Sequence, residues 1–226
     1  MNLDICKLCG KRSSAAEHLD SDELEQLSCS CTEVVFSKGD IIFKQNALSS
    51  NIIYIKDGLV NVHITGPEKE HILKIAKGPT YLGIPTTLGD KINHYSATAL
   101  TKAKVCFIDI NTFKYFIATN SDFAFEIMVD LCKNELYNFR CCVNHLQKQS
   151  SGRIADALLF FANDIFKNDK FTLPLNRIEF GDLTGCSREN VSRILMNFNS
   201  EGLININGKK IELLKTDVLN MISQKG

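Results

Sequence analysis

Residues 176–195 read NRIEFGDLTGCSRENVSRIL, and this stretch organises the rest of the chain. Asn176 followed three residues later by Glu179 is a capping box, so a helix opens at Arg177. It runs to Thr184, and Gly185 supplies the left-handed residue that stops it. Ser187 then caps a second helix whose inward residues are Val191, Ile194, Leu195 and Phe198. Two short helices across a tight, glycine-containing turn form a helix-turn-helix, and in that motif the first turns of the second helix enter the DNA major groove. Arg188, Glu189, Ser192 and Arg193 are the exposed positions and the candidate base readers. Arginine forks two donors onto guanine O6 and N7, and glutamate accepts from cytosine N4. Ser187 and Asn190 suit phosphate oxygens, as do Lys209 and Lys210 beyond an Asn207-Gly208 turn, which is read as a type I′ hairpin and hence as a wing.

Charge does not announce a nucleic-acid partner. The 226 residues carry 26 Lys+Arg and 26 Asp+Glu, and the segment 149–226 holds 10 against 9, a net of +1. Affinity per subunit should therefore be modest and salt-sensitive, with dimerisation supplying the rest. A hydrophobic content of 44% excludes wholesale disorder, and no apolar run approaches the roughly 20 residues that a bilayer crossing needs. The first residues, MNLDICKLCGKRSS, have no apolar core of a secretory signal, so a cytoplasmic location is expected. Nine cysteines, an odd number, are then thiols or metal ligands, not disulfides.

Upstream of the helix-turn-helix the texture changes three times. A short amphipathic helix is expected at Ser21–Leu27. From Val34 to Ile110, β-type runs (34–36, 41–43, 52–55, 59–64, 72–75 and 105–108) alternate with turns, which implies an antiparallel sandwich or barrel. Asp57-Gly58 between two such runs reads as a hairpin. From Ser121 to Lys148 there is neither Gly nor Pro. Phe125, Met128, Cys132, Leu136, Phe139, Val143 and Leu146 recur there at steps of three and four, predicting one helix about 42 Å long at 1.5 Å per residue. A stripe at that spacing is the seam of a helix dimer. Ser150-Ser151-Gly152 is the expected joint to the last domain.

In this order, and in GCSRENVSRIL (Gly185–Leu195) above all, the chain resembles the Crp/Fnr superfamily, the cyclic-AMP receptor and fumarate-nitrate reduction regulators. The resemblance covers about residues 20–220. It implies an α+β architecture: an N-terminal extension (1–20), an antiparallel β-roll of the cyclic-nucleotide-binding type (21–120), a dimerisation helix (121–149) and a winged helix-turn-helix (150–226). It also implies a homodimer on a palindromic double-stranded DNA operator, with RNA polymerase as a further partner and no catalysis. Arg188, Glu189 and Arg193 match the base readers of the cyclic-AMP receptor branch. Glu189, Ser192 and Arg193 match those of the oxygen-sensor branch equally well, so a half-site with the shared TGA-type core is expected.

The signal is less legible. Cyclic-nucleotide binders of the family carry Gly-Glu followed by Arg-Ser; the corresponding positions here are Gly83, Ile84, Tyr95 and Ser96. Without the arginine a buried phosphate loses its charge-assisted pair, so cyclic AMP is not the expected ligand, although the same pocket would take another effector. Cys6, Cys9 and Cys106 match part of the oxygen-sensor branch's ligand set, and soft thiolates suit an iron–sulfur cluster or zinc. That branch's third N-terminal cysteine is missing, since Ser13 to Ala16 stand in its place. Cys29 or Cys31 would substitute only in a different fold. Two other readings stand beside the DNA regulator: a ligand-binding module acting on a protein partner, and a thiol-redox sensor with the same DNA output.

Overall fold

The computed structural model describes residues 9–226. The described residues divide into two compact units, 9–69 with 73–135 and 70–72 with 136–226.

The first unit is a β-roll with helices on one face. Helices α1 (Ser14–Glu17) and α2 (Ser21–Cys29) come first; Asp20 and Glu23 close a reciprocal capping box on α2. Strands β1 (Cys31–Phe36), β2 (Ile41–Phe43), β3 (Asn51–Asp57), β4 (Leu59–Thr65), β5 (Glu70–Lys77) and β6 (Thr80–Leu82) follow. Next come α3 (Ile84–Leu88), β7 (Ser96–Ala99), β8 (Ala103–Asp109) and α4 (Ile110–Thr119). The strands form two four-stranded sheets, ordered β1-β8-β3-β6 and β2-β7-β4-β5.

Alternation along the strands makes two cores from one set of residues. Ile53 and Ile55 on β3 and Val105 on β8 meet Val60, Val62, Ala97 and Ala99 between the sheets. Ile52, Tyr54, Cys106 and Ile108 point the other way. They pack under α1, α2, α4 and the start of α5 (Ser121–Gln147) with Phe113, Phe116, Phe123 and Ile127.

One expected hairpin is a sheet crossing. β3 and β4 belong to different sheets, so Asp57-Gly58 carries the chain from one to the other. Gly58 does have the positive φ of 97° expected of a turn glycine, and a Cβ there would stand 2.5 Å from the Lys102 carbonyl oxygen. A tight hairpin and a tight crossing make the same local demand, so the dipeptide does not distinguish them.

In the second unit the junction after α5 falls at Lys148-Gln149. Ser150, Ser151 and Gly152 already belong to α6 (Ser150–Phe160), which runs on into a π-helical turn, Phe161–Phe166. Strand β9 (Lys170–Thr172), α7 (Arg177–Thr184), α8 (Arg188–Ser200), β10 (Ile204–Asn207), β11 (Lys210–Leu213) and α9 (Thr216–Lys225) complete it, the strands forming a sheet ordered β10-β11-β9. Phe161 is fully buried, with its ring 6.2 Å from Phe171 and 6.3 Å from Phe180. The β10–β11 hairpin is present, but Asn207 pairs with Lys210, which leaves Gly208 and Lys209 as the loop. Only Gly208 has positive φ, which fits a type II′ turn in place of the expected I′.

Candidate nucleic-acid interface

Local chemistry builds the helix pair. Asn176 Oδ1 accepts from the Ile178 and Glu179 N–H groups, and Glu179 accepts in return from the Asn176 N–H. Gly185, at φ 64°, ends α7. Ser187 Oγ then accepts from the Asn190 N–H to start α8. The two helices approach closely at Gly181, where a Cβ would stand 2.5 Å from the Cys186 carbonyl oxygen. Val191, Ile194, Leu195 and Phe198 of α8 face inward and are buried.

The opposite face of α8 carries the candidate readers. Arg188, Glu189 and Arg193 are exposed and Ser192 is half-buried. Ser192 Oγ donates to the Arg188 carbonyl at 2.9 Å, and Arg193 Nη2 donates to Asn190 Oδ1 at 2.7 Å. Arg193 is thus held against the first turn of its own helix. A base contact would exchange that exposed bond for a bidentate one. Lys209 and Lys210 are exposed at the wing tip. Arg177, partly buried, reaches the Gly208 carbonyl with Nη2 at 3.5 Å and joins the start of α7 to the wing.

Arg153 is a positioning residue that the sequence pattern did not single out. Its Nε donates to the Thr184 carbonyl (2.7 Å), Nη1 to the Lys148 carbonyl (2.7 Å) and Nη2 to the Gly185 carbonyl (3.3 Å). One guanidinium therefore satisfies carbonyls at the end of α5 and of α7 together, which otherwise lack intrahelical donors. Its i, i+4-type neighbours in sequence gave no sign of this, because its partners lie five and more than thirty residues away.

The candidate effector residues do not share one surroundings. The Tyr95 ring packs against that of Phe43, centroids 5.5 Å apart and planes tilted by 59°, and its hydroxyl accepts from the Gly83 N–H at 3.0 Å. Burial pushes the Tyr95 pKa up, partly offset by that bond. Ser96 Oγ accepts from the Gln45 N–H. Ile84, only 2% exposed, lies instead in the core under the helices. Cys6 lies outside the described residues. Cys9 and Cys106 line one cavity, and Cys31 joins them there. Among the described residues no three His, Cys, Asp or Glu side chains are grouped so as to hold a metal ion. No helix among them is long and apolar enough to cross a membrane.

Residues 152–222 match the model of the Crp-like helix-turn-helix domain, and residues 33–120 match that of the cyclic nucleotide-binding domain. The chain belongs to the Crp/Fnr family of transcription regulators. Its relatives include the cAMP-activated global transcriptional regulator CRP of Escherichia coli O157:H7, 29% identical over 186 residues, which cover 80% of this chain and 88% of that protein. Nitrogen fixation regulation protein FixK of Bradyrhizobium diazoefficiens is 26% identical over 220 residues, 94% and 91% of the two chains. Among solved structures, FixK2 from Bradyrhizobium japonicum has the same fold at a TM-score of 0.77 and 17% identity, covering 85% of this chain and 96% of its own. A crp/fnr-family regulator from Eubacterium rectale gives 0.76 at 17% identity, covering 92% and 97%. Like its family, the chain is a DNA-binding transcription regulator and not an enzyme.

Proposed function

We propose that two copies of the chain join along α5 and read a two-fold symmetric operator, one half-site for each α8. The observation that carries this reading is the reader face of α8: Arg188, Glu189 and Arg193 stand exposed on a helix whose start is set by the Ser187 cap and the Gly185 stop. The apolar stripe of α5 supports the dimer, since Leu136, Phe139 and Leu146 are 67%, 59% and 80% exposed. Half-sites about one helical turn apart then follow from the two-fold geometry. Contact with RNA polymerase would turn occupancy into a change in transcription. A signal acts by shifting how the paired helices present the two readers, a bias on a two-state interface.

Arg193→Ala tests the reading. It is expected to weaken the selected operator by about 1–3 kcal/mol and to relax preference at one base pair. Lys209→Ala should weaken all sequences alike and reduce the salt slope by about one. Competition binding against single-base operator variants measures both. Unchanged operator affinity in Arg193→Ala would remove the reader assignment and favour a protein-partner role for this domain.

Cyclic AMP is not the proposed signal. Tyr95 replaces the phosphate-binding arginine, and its hydroxyl already engages the Gly83 amide. Calorimetric titration of the full chain with cyclic AMP is expected to give no saturable heat at concentrations that saturate a cyclic-AMP-activated relative. Saturable binding would show that Tyr95 swings out to admit the nucleotide.

A further inference from the structure

The second unit contains α5 from Leu136 onward, and two faces of that half serve different neighbours. Leu136, Phe139, Val143 and Leu146 lie open. Asn144 and Lys148, one turn apart, are half-buried and meet the carboxylate of Asp156 on α6. Asn144 Nδ2 donates to Asp156 Oδ2 (3.0 Å), Ser223 Oγ of α9 donates to Asp156 Oδ1 (2.9 Å), and Lys148 Nζ stands 3.3 Å from that same Oδ1. Lys148 Nζ also donates to Ser223 Oγ (3.2 Å), so the buried hydroxyl is satisfied both ways. A carboxylate accepts at both oxygens and donates nothing, which lets this one side chain take donors from two other helices at once.

The place of these bonds matters more than their strength. The covalent link between α5 and α6 is the Lys148-Gln149 junction, whose soft backbone dihedrals would let the helices change angle. Arg153 donates to the Lys148 carbonyl at the pivot itself, where a bond has little leverage over that angle. Asn144 stands four residues before the end of the pivot on α5, and Asp156 six residues beyond the start of α6, or about 6 and 9 Å along the two helices. A bond between two arms that far from their hinge resists a rotation that a bond at the hinge permits. The Asp156 side chain is 44% exposed, so its ion pair with Lys148 adds little to stability. What the joint supplies is a fixed angle. Ile154 and Leu158 of α6 are fully buried, and α6 packs on α7 and α8, so α8 turns with it.

We propose that Asp156 is a positioning residue that sets the half-site spacing the paired readers accept. The inference rests on the dimer along α5 and names what determines the geometry of its operator. Moving a half-site by one base pair shifts it about 3.4 Å along the duplex and about 34° around it. A rigid joint in each copy rejects that change, because the second α8 no longer meets its groove. A joint held only at the Lys148-Gln149 link follows it. Loss of the Asp156 bonds therefore lowers the effective concentration of the second reader at the native spacing and raises it at neighbouring ones.

The test titrates full-length protein with the selected operator, with operators whose half-sites stand one base pair closer or farther apart, and with a single half-site. Wild-type affinity is expected to fall about 100-fold on either change of spacing. In Asp156→Ala the native operator should bind about tenfold more weakly, and the penalty for changed spacing should shrink to about threefold. Affinity for the single half-site should stay as in the wild type, since no reader is touched. Asp156→Asn should keep the wild-type preference: its oxygen still accepts from Ser223, and its amide donates to Asn144 once that amide turns over. The assignment is overturned if Asp156→Ala weakens every DNA by the same factor, if it keeps the wild-type spacing penalty, or if Asp156→Asn relaxes spacing as far as alanine does. A wild-type protein indifferent to spacing would remove the dimer reading as well. A sharp wild-type preference that alanine leaves unchanged removes only the role of Asp156.

Discussion

Full-length protein carrying Leu136→Glu and Phe139→Glu is expected to sediment as a monomer and to lose at least about 100-fold in operator affinity, the order of magnitude that linked half-site binding adds. Phe123 and Ile127 bury one face of α5 in the roll, whereas Phe125 (59%), Met128 (54%), Leu136 and Phe139 lie open on another. Single exposed apolar residues are ordinary, but a contiguous stripe at steps of three and four along a 27-residue helix is a surface that needs a partner. Facing carboxylates along the seam would repel at close range and lose the apolar burial. Because both side chains are solvent-exposed within one chain, the substitutions should change the stability of the isolated fold by no more than about 0.5 kcal/mol. Sedimentation equilibrium and operator titration read the two effects separately. A variant that stays dimeric would place the interface elsewhere, and a monomer that keeps full affinity would remove the two-half-site reading.

Phe161→Ala should produce the largest loss of stability in the second unit. The side chain is fully buried, with rings of Phe166, Phe171 and Phe180 all within 6.3 Å. Truncation leaves a cavity among aromatic neighbours that cannot collapse into it, at a cost of about 3–5 kcal/mol. For a unit of this size that is on the order of 20 °C in melting temperature. Phe161→Leu should cost appreciably less, since it refills much of the volume. The folded fraction of either variant should bind operator normally, because Phe161 faces away from the α8 surface into the core. Denaturant unfolding, followed with a probe in the winged-helix unit, checks the prediction: the midpoint falls while the slope stays the same. A loss below 1 kcal/mol would show that the aromatic cluster repacks.

The helix-turn-helix was legible at single-residue detail because everything that starts and stops its helices is local. The Asn176–Glu179 box, the Gly185 stop and the Ser187 cap each act within three or four residues, and all appear as the pattern predicts. The α5 stripe was equally plain, since a helix repeats its faces every few residues. Short elements were harder. β6, β7 and α4 passed unmarked: β7 is only Ser-Ala-Thr-Ala, and α4 follows directly on the Asp109 that ends β8 and caps the helix.

Asp57-Gly58 shows where local reasoning runs out. Its backbone conformation could be read from the dipeptide, but whether the next strand folds back or crosses to the other sheet is decided by Gly78, Lys102 and Ala103, which close around Gly58 from elsewhere in the chain. The thiols show the same limit. Cys9 stands out by its Cys-x-x-Cys spacing and Cys106 by the family resemblance, but Cys31 and Lys56 line the same cavity only through the register of β1, β8 and β3. Arg153 likewise looks like an ordinary helix-start arginine until α7 ends against it. Caps, stops and periodic faces are paired within a few residues, so the chain alone specifies them. Pairings between strands and around buried cations form across tens of residues of chain, and only the packed fold selects among the many that local chemistry allows.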